Sequence, residues 1–391
     1  MRRFTWTLLS AALFGVAGVA SAADIDVMTQ NQYLGADIAP LIGAIGTPGF
    51  NDAVVTALEQ IARNRSQERV KALAAEITKR RPHLVGLQEV WKFACIPAVS
   101  QLPGLPPNYP CTDPSIAGAF TDHLQGTMSA LGTTYKAVAT VENFSIQFFV
   151  IPAGSGTPQL PAGTVVPGIP FFVNGVPAFL QVMDRDAILA RSDVVATKFA
   201  YPCARVSADG CNYNVDLPLG TLGSVKRGFV AVNATIDKVD YRFVNTHLEV
   251  EASDSIPGEV QAAQAFQLVA TVLPNTPLSR RLIVVGDMNS SPNDAASSQP
   301  TPYTIYAQAG LYDAWLQRPG NVPGLSCCQL EDLSNQQTLL TRRIDLILSR
   351  EMPRKVKDAR LLGDVTADKT WPPGRGLWPS DHASVAALLQ Y

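Results

Sequence analysis

The sequence predicts an α/β sandwich in which two β-sheets pack together and helices lie on the outside. Strand-like apolar segments dominate the chain, and helical segments are inserted between them, which is typical of this fold class. The chain has 391 residues, of which 47% are hydrophobic, so it can bury a large core. It shows no internal repeat of short, fixed period.

The predicted strands are short apolar runs, many of them β-branched, that end at turn residues. In chain order they are Asp24–Gln30, His83–Val90, two strands within Tyr135–Val150, Ala187–Ala190, Lys226–Ile236, Tyr241–Thr246, Leu282–Val285, Arg342–Leu348 and Ala383–Leu389. The predicted helices carry apolar residues at helical spacing, and they are Ala53–Lys79 with an interruption near Asn64, Phe120–Leu131, Gln261–Leu273 and Tyr303–Gln308.

Residues 1–22 have the pattern of a secretory signal peptide. Two arginines begin the segment, an apolar run too short to span a bilayer follows, and Ala20-Ser21-Ala22 offers a small-residue cleavage site. A retained membrane anchor is the alternative, which the cleavage site disfavours. We therefore expect a secreted or periplasmic protein whose residues 23–391 form a single folded domain.

Two insertions interrupt the regular pattern of strands and helices. Residues 92–118 are rich in proline and contain two cysteines. Residues 144–183 contain many Pro and Gly and apolar doublets such as Phe171-Phe172. The second insertion is either a hairpin packed on the core, which we favour, or an exposed apolar flap that meets lipid or a partner.

Six cysteines fit an oxidising compartment. We predict the local pairs Cys95–Cys111 and Cys203–Cys211 among the possible connectivities. The adjacent residues Cys327 and Cys328 leave three possibilities open. They form a strained mutual bond, have separate partners, or are a redox-labile pair.

Polar residues with ligand chemistry follow several of the buried strands. Asp287 and Asn289 come directly after Leu282–Val285, and a carboxylate with an amide suits a hard divalent cation and a phosphate oxygen. Taken alone, this pair would more simply be an Asx turn. Glu89 follows the second strand, where burying an unpaired carboxylate would be costly, so a purely structural role is disfavoured. Asn31, after the first strand, is either a turn residue or a ligand.

Five such strand-end signatures occur in order along the chain. They are Asn31, Gln88-Glu89, Asn245-Thr246-His247, Gly286-Asp287-Met288-Asn289 and Ser380-Asp381-His382, with Arg343-Ile344-Asp345 between the last two. The set resembles the endonuclease/exonuclease/phosphatase superfamily, which includes deoxyribonuclease I, abasic-site endonucleases, bacterial sphingomyelinases and inositol polyphosphate phosphatases. The resemblance runs from about Asp26 to Leu389. It implies a four-layer α/β sandwich with two packed, mainly antiparallel β-sheets flanked by helices. One departure is Gln30, because the superfamily usually has an aliphatic or aromatic residue there.

The resemblance also implies roles for the residues nearest the phosphoester. Glu89 would be the main ligand of Mg²⁺, or of Mn²⁺ or Ca²⁺, with Asn31 and Asp381 helping. Asp287 would orient or deprotonate the attacking water. Asn289 would hold a phosphate oxygen.

The resemblance assigns the two remaining signatures to imidazole chemistry. His382 would act as a general base or stabilise charge in the transition state, with Asp345 fixing its tautomer. An ion pair between Asp345 and a nearby arginine is the alternative. His247 would donate to a phosphate oxygen or protonate the leaving alkoxide, and Asp184 is a candidate partner for it.

We therefore predict a secreted, Mg²⁺-dependent phosphohydrolase that cleaves phosphodiester bonds in a nuclease-like manner. A sphingomyelinase-like enzyme acting on phospholipid headgroups, with peripheral membrane contact, is the alternative. The formal net charge of -2 gives no global basic surface, which is weak evidence against a nucleic-acid substrate. A silent binding module is disfavoured by the intact carboxylates, and a serine hydrolase by the lack of a G-x-S-x-G sequence. The sequence implies no obligate protein partner.

Overall fold

A computed structural model of the chain describes residues 24–98, 104–151, 161–219, 222–250, 256–295, 300–370 and 376–391, with the backbone alone for 256–258. The predicted signal peptide, residues 1–22, lies outside the described residues. None of the helices described combines the length and the apolar character that crossing a membrane requires.

The secondary structure of the described residues is dominated by strands. In chain order the strands are β1 (Asp24–Asn31), β2 (Leu84–Gln88), β3 (Lys92–Pro97), β4 (Tyr135–Ile146), β5 (Phe149–Val150), β6 (Val165–Val166), β7 (Ile169–Val173), β8 (Val176–Arg191), β9 (Val195–Phe199), β10 (Val206–Ser207), β11 (Gly210–Asn212), β12 (Leu217–Pro218), β13 (Ser224–Val225), β14 (Gly228–Ile236), β15 (Val239–His247), β16 (Arg281–Asp287), β17 (Tyr312–Asp313), β18 (Asp345–Ser349), β19 (Lys355–Leu362) and β20 (Ser384–Gln390). The α-helices are α1 (Ala39–Gly43), α2 (Phe50–Arg63), α3 (Ser66–Arg80), α4 (His123–Leu131), α5 (Ile256–Val272) and α6 (Pro302–Gln308).

Most of these strands belong to two large sheets. The first sheet has the order β19-β20-β1-β2-β8-β3, and β4 and β7 also pair with β8. The second sheet has the order β10-β11-β14-β15-β16-β18-β17, and β9 also pairs with β14. The pairs β1–β2 and β15–β16 are parallel, and the other described pairs in these sheets are antiparallel. Two parallel pairs therefore direct their carboxyl ends towards a common edge.

Side chains on both faces of the central strands are buried, which produces four layers. Val27 and Phe243 point into the core between the sheets. Their neighbours Met28 and Val244 point the opposite way, because successive side chains of a strand alternate. Met28 packs under α3 and α4, and Val244 packs under α5 and α6. This arrangement confirms the predicted four-layer α/β sandwich with two mainly antiparallel sheets flanked by helices.

Several predicted boundaries need correction. The strand predicted from Arg342 begins at Asp345, because the backbone of Arg342 bonds to Cys327 outside the sheet. Asp345 is therefore the first residue of β18 and not its middle. The acidic segment around Asp184 lies inside β8 and does not precede a strand, because β8 extends beyond β2 to pair with β3 and β7. The first insertion also contributes β3.

The second insertion is a hairpin packed on the core. Strands β7 and β8 form it, and the Phe171 side chain is 0% exposed. Asn51 of α2 fixes the hairpin, because its Oδ1 atom accepts a hydrogen bond from the Phe172 backbone nitrogen at 2.7 Å. The favoured packed interpretation is confirmed. An exposed apolar flap built on Phe171 and Phe172 is wrong, since the Phe171 ring is buried in the cluster that α2 and the first sheet form, and Phe172 is half-buried.

The two predicted local disulfides are present. Cys95–Cys111 ties the start of the first insertion to its proline-rich loop, with the two Cα atoms 5.6 Å apart. Cys203–Cys211 closes a shorter loop, with a Cα–Cα distance of 6.1 Å. Cys327 and Cys328 are bonded to each other, which was one of the three possibilities left open.

The two sheets approach most closely beside the carboxyl ends of β2 and β15. A Cβ atom on Gly86 would lie 2.5 Å from Asn245 Oδ1, so only glycine leaves room for this contact. Asn245 in turn crosses the interface, because its Nδ2 donates to Leu87 O at 2.9 Å and to Ala187 O at 3.1 Å. Its Oδ1 accepts from Gln88 Nε2 at 2.5 Å. These bonds fix the two strand ends relative to each other.

Candidate active site

The predicted strand-end residues converge at one edge shared by the two sheets. Asn31 is opposite Gln88 in the first sheet. In the second sheet, Asp287 is opposite His247 on one side and opposite Asp345 on the other. The sheets meet where Asn31 Nδ2 donates to Asp287 Oδ2 at 3.0 Å. Residues more than 250 positions apart in the sequence therefore form one site.

His382 is the imidazole with acidic neighbours. Its Nδ1 lies 2.8 Å from Asp345 Oδ2, and its Nε2 lies 3.7 Å from Asp287 Oδ2. Burial alone would lower the pKa of His382. The carboxylates of Asp345, Asp381 and Asp287 outweigh burial and raise that pKa well above its ordinary value. These carboxylates favour the protonated form of the ring, in which Nδ1–H can donate to Asp345 Oδ2.

Asp287 is the last residue of β16, and its carboxylate has three polar neighbours besides His382. Its Oδ1 accepts a hydrogen bond from the backbone nitrogen of Asn289 at 2.9 Å, and its Oδ2 accepts from Asn31. The Nε2 atom of His247 lies 3.5 Å from Oδ2. Burial raises the pKa of Asp287 to about 7, so the carboxylate can exchange a proton near neutral pH.

Glu89 leaves the first sheet in an unusual backbone conformation. Its φ is 53°, a left-handed value that a residue with a side chain seldom adopts and that is often found at functional sites. The turn directs its carboxylate into the site, where Oε1 accepts from Asn31 Nδ2 at 3.3 Å. The backbone nitrogen of Leu34 donates to Oε2 at 2.8 Å. The side chain is partly exposed, so an ion can reach it.

Asp381 adds a second carboxylate near Glu89. Burial raises the pKa of Asp381 to about 6, and the negative charge of Glu89 contributes to the same direction. A site in which carboxylates repel each other in this way is short of positive charge. Hard oxygen donors with excess negative charge are the ligands that Mg²⁺, Mn²⁺ and Ca²⁺ prefer. The residues present therefore fit a divalent cation.

Asn31 is placed differently from the role predicted for it. Its Oδ1 accepts a hydrogen bond from the backbone nitrogen of Tyr33 at 2.8 Å. The amide nitrogen, which cannot bind a cation, faces the carboxylates of Glu89 and Asp287. In this arrangement Asn31 bridges the two carboxylates.

His247 is the second imidazole, and its neighbours differ from those of His382. Its Nδ1 lies 3.0 Å from Nη1 of Arg227, and its Nε2 lies 3.2 Å from Nδ2 of Asn289. Burial lowers the pKa of His247 well below its ordinary value, and the charge of Arg227 lowers it further. The predicted pairing with Asp184 is wrong, because Arg227 occupies the Nδ1 side of the ring. Asp184 Oδ2 lies 3.7 Å from the same Nη1 atom.

Asn289 is oriented by contacts on both its backbone and its side chain. Its φ is 47°, and its backbone oxygen accepts from Gln261 Nε2 of α5 at 2.8 Å. Its Nδ2 donates to Leu248 O at 3.0 Å, which assigns the orientation of the amide. The amide therefore presents an N–H towards the reaction side of His247, as the predicted phosphate contact requires.

Three residues that position the site were not identified from the sequence. Arg69 of α3 is 0% exposed, and its guanidinium donates to the backbone oxygens of Gln32 and Pro379 at 3.0 and 3.1 Å. Ser326 Oγ accepts from the backbone nitrogen of Asp345 at 3.2 Å. Arg227 is the third. None of them lies at the end of an apolar run, so the signal that found the other site residues does not apply to them.

Solved structures with a similar fold cover most of this chain. An endonuclease/exonuclease/phosphatase family protein from Bacteroides thetaiotaomicron has 14% identity and a TM-score of 0.50, covering 95% of this chain and 98% of that one. An endonuclease/exonuclease/phosphatase from Beutenbergia cavernae has 16% identity and a TM-score of 0.49, covering 94% and 72%. A mannosyl-6-phosphatase from Bacteroides thetaiotaomicron has 14% identity and a TM-score of 0.47, covering 93% and 99%.

The family is shown by the sequence match and not by these distant structures. A search of curated proteins finds no match. The family model described as the Endonuclease/Exonuclease/phosphatase family matches residues 57–382, which is most of the chain. The chain belongs to the endonuclease/exonuclease/phosphatase family.

Proposed function

We propose that this protein is a divalent-metal-dependent hydrolase of phosphodiester bonds with nuclease-like activity. The observation that carries the proposal is the position of the Asp287 carboxylate beside the Nε2 atoms of two imidazoles. Its Oδ2 lies 3.5 Å from His247 Nε2 and 3.7 Å from His382 Nε2. A proton acceptor between two nitrogen donors is what hydrolysis of a phosphate ester requires.

Each group then has one task in the reaction. Water attacks phosphorus, and Asp287 accepts the proton of the water. The bond to the leaving oxygen breaks, and that oxygen takes a proton from solvent. The positive charge of His382 stabilises negative charge that develops on the phosphoryl group and leaving oxygen. Of the two roles predicted for His382, charge stabilisation is supported, because a protonated ring cannot act as a base. His247 donates its hydrogen bond to a phosphoryl oxygen.

The acidic side of the site supports the metal dependence. Enzymes of this family generally depend on a divalent metal. Glu89 and Asp381 would hold the ion, and Asn31 would need to rotate its amide to offer an oxygen. When bound, the cation would neutralise the charge of the phosphate and polarise its oxygens.

We also propose that the protein is secreted or periplasmic. The signal-like residues 1–22 and the two local disulfides support this location, since such bonds persist in oxidising compartments.

A lipid-headgroup substrate is the second candidate, and one observation favours it. The ribbon β5–β6 and the residue before it expose Phe148 at 73%, Val150 at 58% and Val165 at 64%. Phe148 follows Asn143 by five residues, so the two lie within about 18 Å. Asn143 Nδ2 in turn lies 3.5 Å from Asp184 Oδ2 beside Arg227. The ribbon is thus near enough to the site to meet a membrane while a headgroup is bound.

A substrate panel tests the proposed function. Supercoiled plasmid DNA, RNA, sphingomyelin vesicles and an aryl phosphodiester are each incubated with Mg²⁺ and with EDTA. We expect turnover with Mg²⁺ alone and a loss of roughly 1,000-fold in Glu89→Gln, because that variant loses a charged ligand. Glu59→Gln removes an exposed carboxylate on α2 and should match the wild type. Full turnover in EDTA, or an unaffected Glu89→Gln enzyme, rules out the metal assignment.

Vesicle binding separates the two substrate classes. Phe148→Ser with Val165→Ser should abolish co-sedimentation with sphingomyelin vesicles if the ribbon meets lipid. Leu278→Ser is the control, since Leu278 is 87% exposed outside the ribbon. A wild type that nicks plasmid and does not pellet with vesicles excludes the lipid candidate.

A further inference from the structure

The contact between Arg227 and His247 determines where the imidazole carries its proton. Arginine remains protonated in proteins, so Nη1 of Arg227 donates and Nδ1 of His247 accepts across the 3.0 Å separation. A neutral imidazole has a single N–H. Because Nδ1 is the acceptor, the proton of His247 lies on Nε2.

Arg227 is itself held in place by acidic residues. Its side chain is 11% exposed, and its Nη1 and Nη2 atoms lie 3.7 Å from Asp184 Oδ2 and from Glu249 Oε1. Both carboxylate side chains are 3% exposed or less. The guanidinium is therefore held by two carboxylates, and Nη1 also contacts the ring of His247. A planar fork of this kind can serve three partners at once, which an ammonium group does less well.

The Nε2–H of His247 points to the reaction side together with a second donor. Asn289 Nδ2 lies 3.2 Å from Nε2, and its orientation is assigned by the bond to Leu248 O. Two N–H donors cannot hydrogen-bond each other. The pair is therefore suited to share one acceptor, such as a phosphoryl oxygen of the substrate.

We propose that Arg227 is a positioning residue that keeps His247 in the neutral Nε2–H tautomer, so that His247 and Asn289 present paired donors to one phosphoryl oxygen. The inference rests on the proposed function for the identity of the acceptor. It assigns to a buried cation the orienting role that a carboxylate has at His382. It also makes His247 a permanent hydrogen-bond donor that does not exchange a proton with substrate.

A purely structural role is the rival explanation. Arg227 would then only compensate the buried charges of Asp184 and Glu249. Removing it would lower stability under either explanation, so stability alone does not separate them. The tautomer of His247 helps to separate the two explanations, because charge compensation does not require a particular ring nitrogen of His247 to carry the proton.

Nitrogen NMR of the wild-type chain gives the deciding measurement. The sequence contains four histidines, so long-range ¹H–¹⁵N spectra of the imidazoles are tractable, and His247→Gln assigns the signals of His247. The charged groups that face His247 are Arg227, Asp287 and His382. We expect a proton on Nε2 and none on Nδ1 between about pH 5.5 and 8.5. A proton on Nδ1, or a ring that becomes doubly protonated in this range, overturns the proposal.

Variants connect the tautomer to turnover. Arg227→Met should lower kcat roughly 100-fold with a smaller change in KM, because one transition-state donor is no longer held. Its pH profile should gain an ionisation that the wild type lacks. Arg227→Lys should recover part of kcat, and Lys226→Gln, which removes the exposed neighbouring cation, should match the wild type.

The outcomes separate this inference from the proposed function. An inactive wild type with the Nε2–H tautomer contradicts the function and leaves the tautomer assignment standing. An active wild type whose Arg227→Met variant keeps kcat and its pH profile assigns Arg227 a structural role. If Arg227→Met does not fold, Arg227→Lys carries the test of turnover, and a wild-type spectrum with a proton on Nδ1 still overturns the proposal.

Discussion

His382 and His247 are alike in depth and position, but their pKa values are shifted in opposite directions. Both are almost fully buried, and both direct Nε2 towards Asp287 Oδ2 at similar distances. They differ in the residue at Nδ1. Asp345 accepts a hydrogen bond from His382, whereas Arg227 donates one to His247. The first arrangement favours the protonated imidazole, and the second favours the neutral one.

The difference shows that the residue at Nδ1, on the side of each ring away from Asp287, determines which protonation state is favoured. Burial lowers the pKa of both imidazoles, so burial cannot be what distinguishes them. The charge of the residue at Nδ1 is what distinguishes the two imidazoles. A pair of titratable groups whose pKa values are driven apart supports separate tasks in one reaction. The predictions below test this comparison.

Removing the carboxylate behind His382 should have the largest effect. Asp345→Asn keeps the shape of the side chain but loses the charge and can present an amide N–H to Nδ1. We expect kcat to fall roughly 1,000-fold, because His382 loses the carboxylate that favours its protonated form. The measurement is kcat at saturating Mg²⁺ and substrate.

Asp237→Asn is the matched control for that variant. Asp237 lies in the turn between β14 and β15 with a φ of 50°, which asparagine tolerates. Its kcat should equal that of the wild type. An Asp345→Asn enzyme with wild-type kcat would mean that the charge of His382 has no part in turnover, and the comparison would fail.

Replacing each ring by glutamine should sharpen the difference between them. A glutamine amide can supply a neutral N–H, but it cannot supply a positive charge. We therefore expect His382→Gln to lose about tenfold more kcat than His247→Gln, which corresponds to about 1.4 kcal/mol. Parallel kcat and KM measurements at one pH check this. Equal losses, or a larger loss for His247→Gln, would contradict the assignment of charges.

The same comparison shows which part of the site could be predicted from the sequence. Asp287 and Glu89 end apolar runs, and a strand that leaves the core delivers its last side chains to a sheet edge. Parallel pairs then bring these ends together, so local patterns sufficed for both residues. The fold followed from the same runs and the helices between them.

Residues that position the strand-end side chains, and that do not themselves end an apolar run, could not be predicted in this way. Arg227 precedes β14 at the start of a strand, and Arg69 lies on an amphipathic helix among other charged residues. Each looks like an ordinary surface cation in the sequence. Their burial depends on the packing of the two sheets and α3, which no local pattern encodes. The incorrect pairing of Asp184 with His247 arose from the same cause, because Arg227, in the segment between β13 and β14, contacts both residues.

Glu76 is a buried carboxyl whose pKa is shifted by burial without a partner of opposite charge. It lies on α3, where its Oε2 accepts from Ser384 Oγ at 2.8 Å and from Gln30 Nε2 at 3.3 Å. Gln30 is the departure from the superfamily pattern, and its side chain points away from the site towards this carboxyl. Burial raises the pKa of Glu76 to about 8.

Glu76→Gln should therefore remove a pH dependence of the unfolding free energy. This dependence has the opposite sign to the one that a salt-bridged carboxylate produces. The unfolded chain releases this proton near the ordinary glutamate pKa of 4.5, and the folded chain holds it up to about pH 8, so stability falls as pH rises between these values. Glu76→Gln keeps an acceptor for Ser384 and avoids the loss. We expect its unfolding free energy to gain about 3 kcal/mol on the wild type between pH 5 and pH 8, measured by guanidinium unfolding. Glu68→Gln, on the exposed face of the same helix, should show no such trend. A constant difference between Glu76→Gln and wild type across this range would show that burial alone does not shift a carboxyl here.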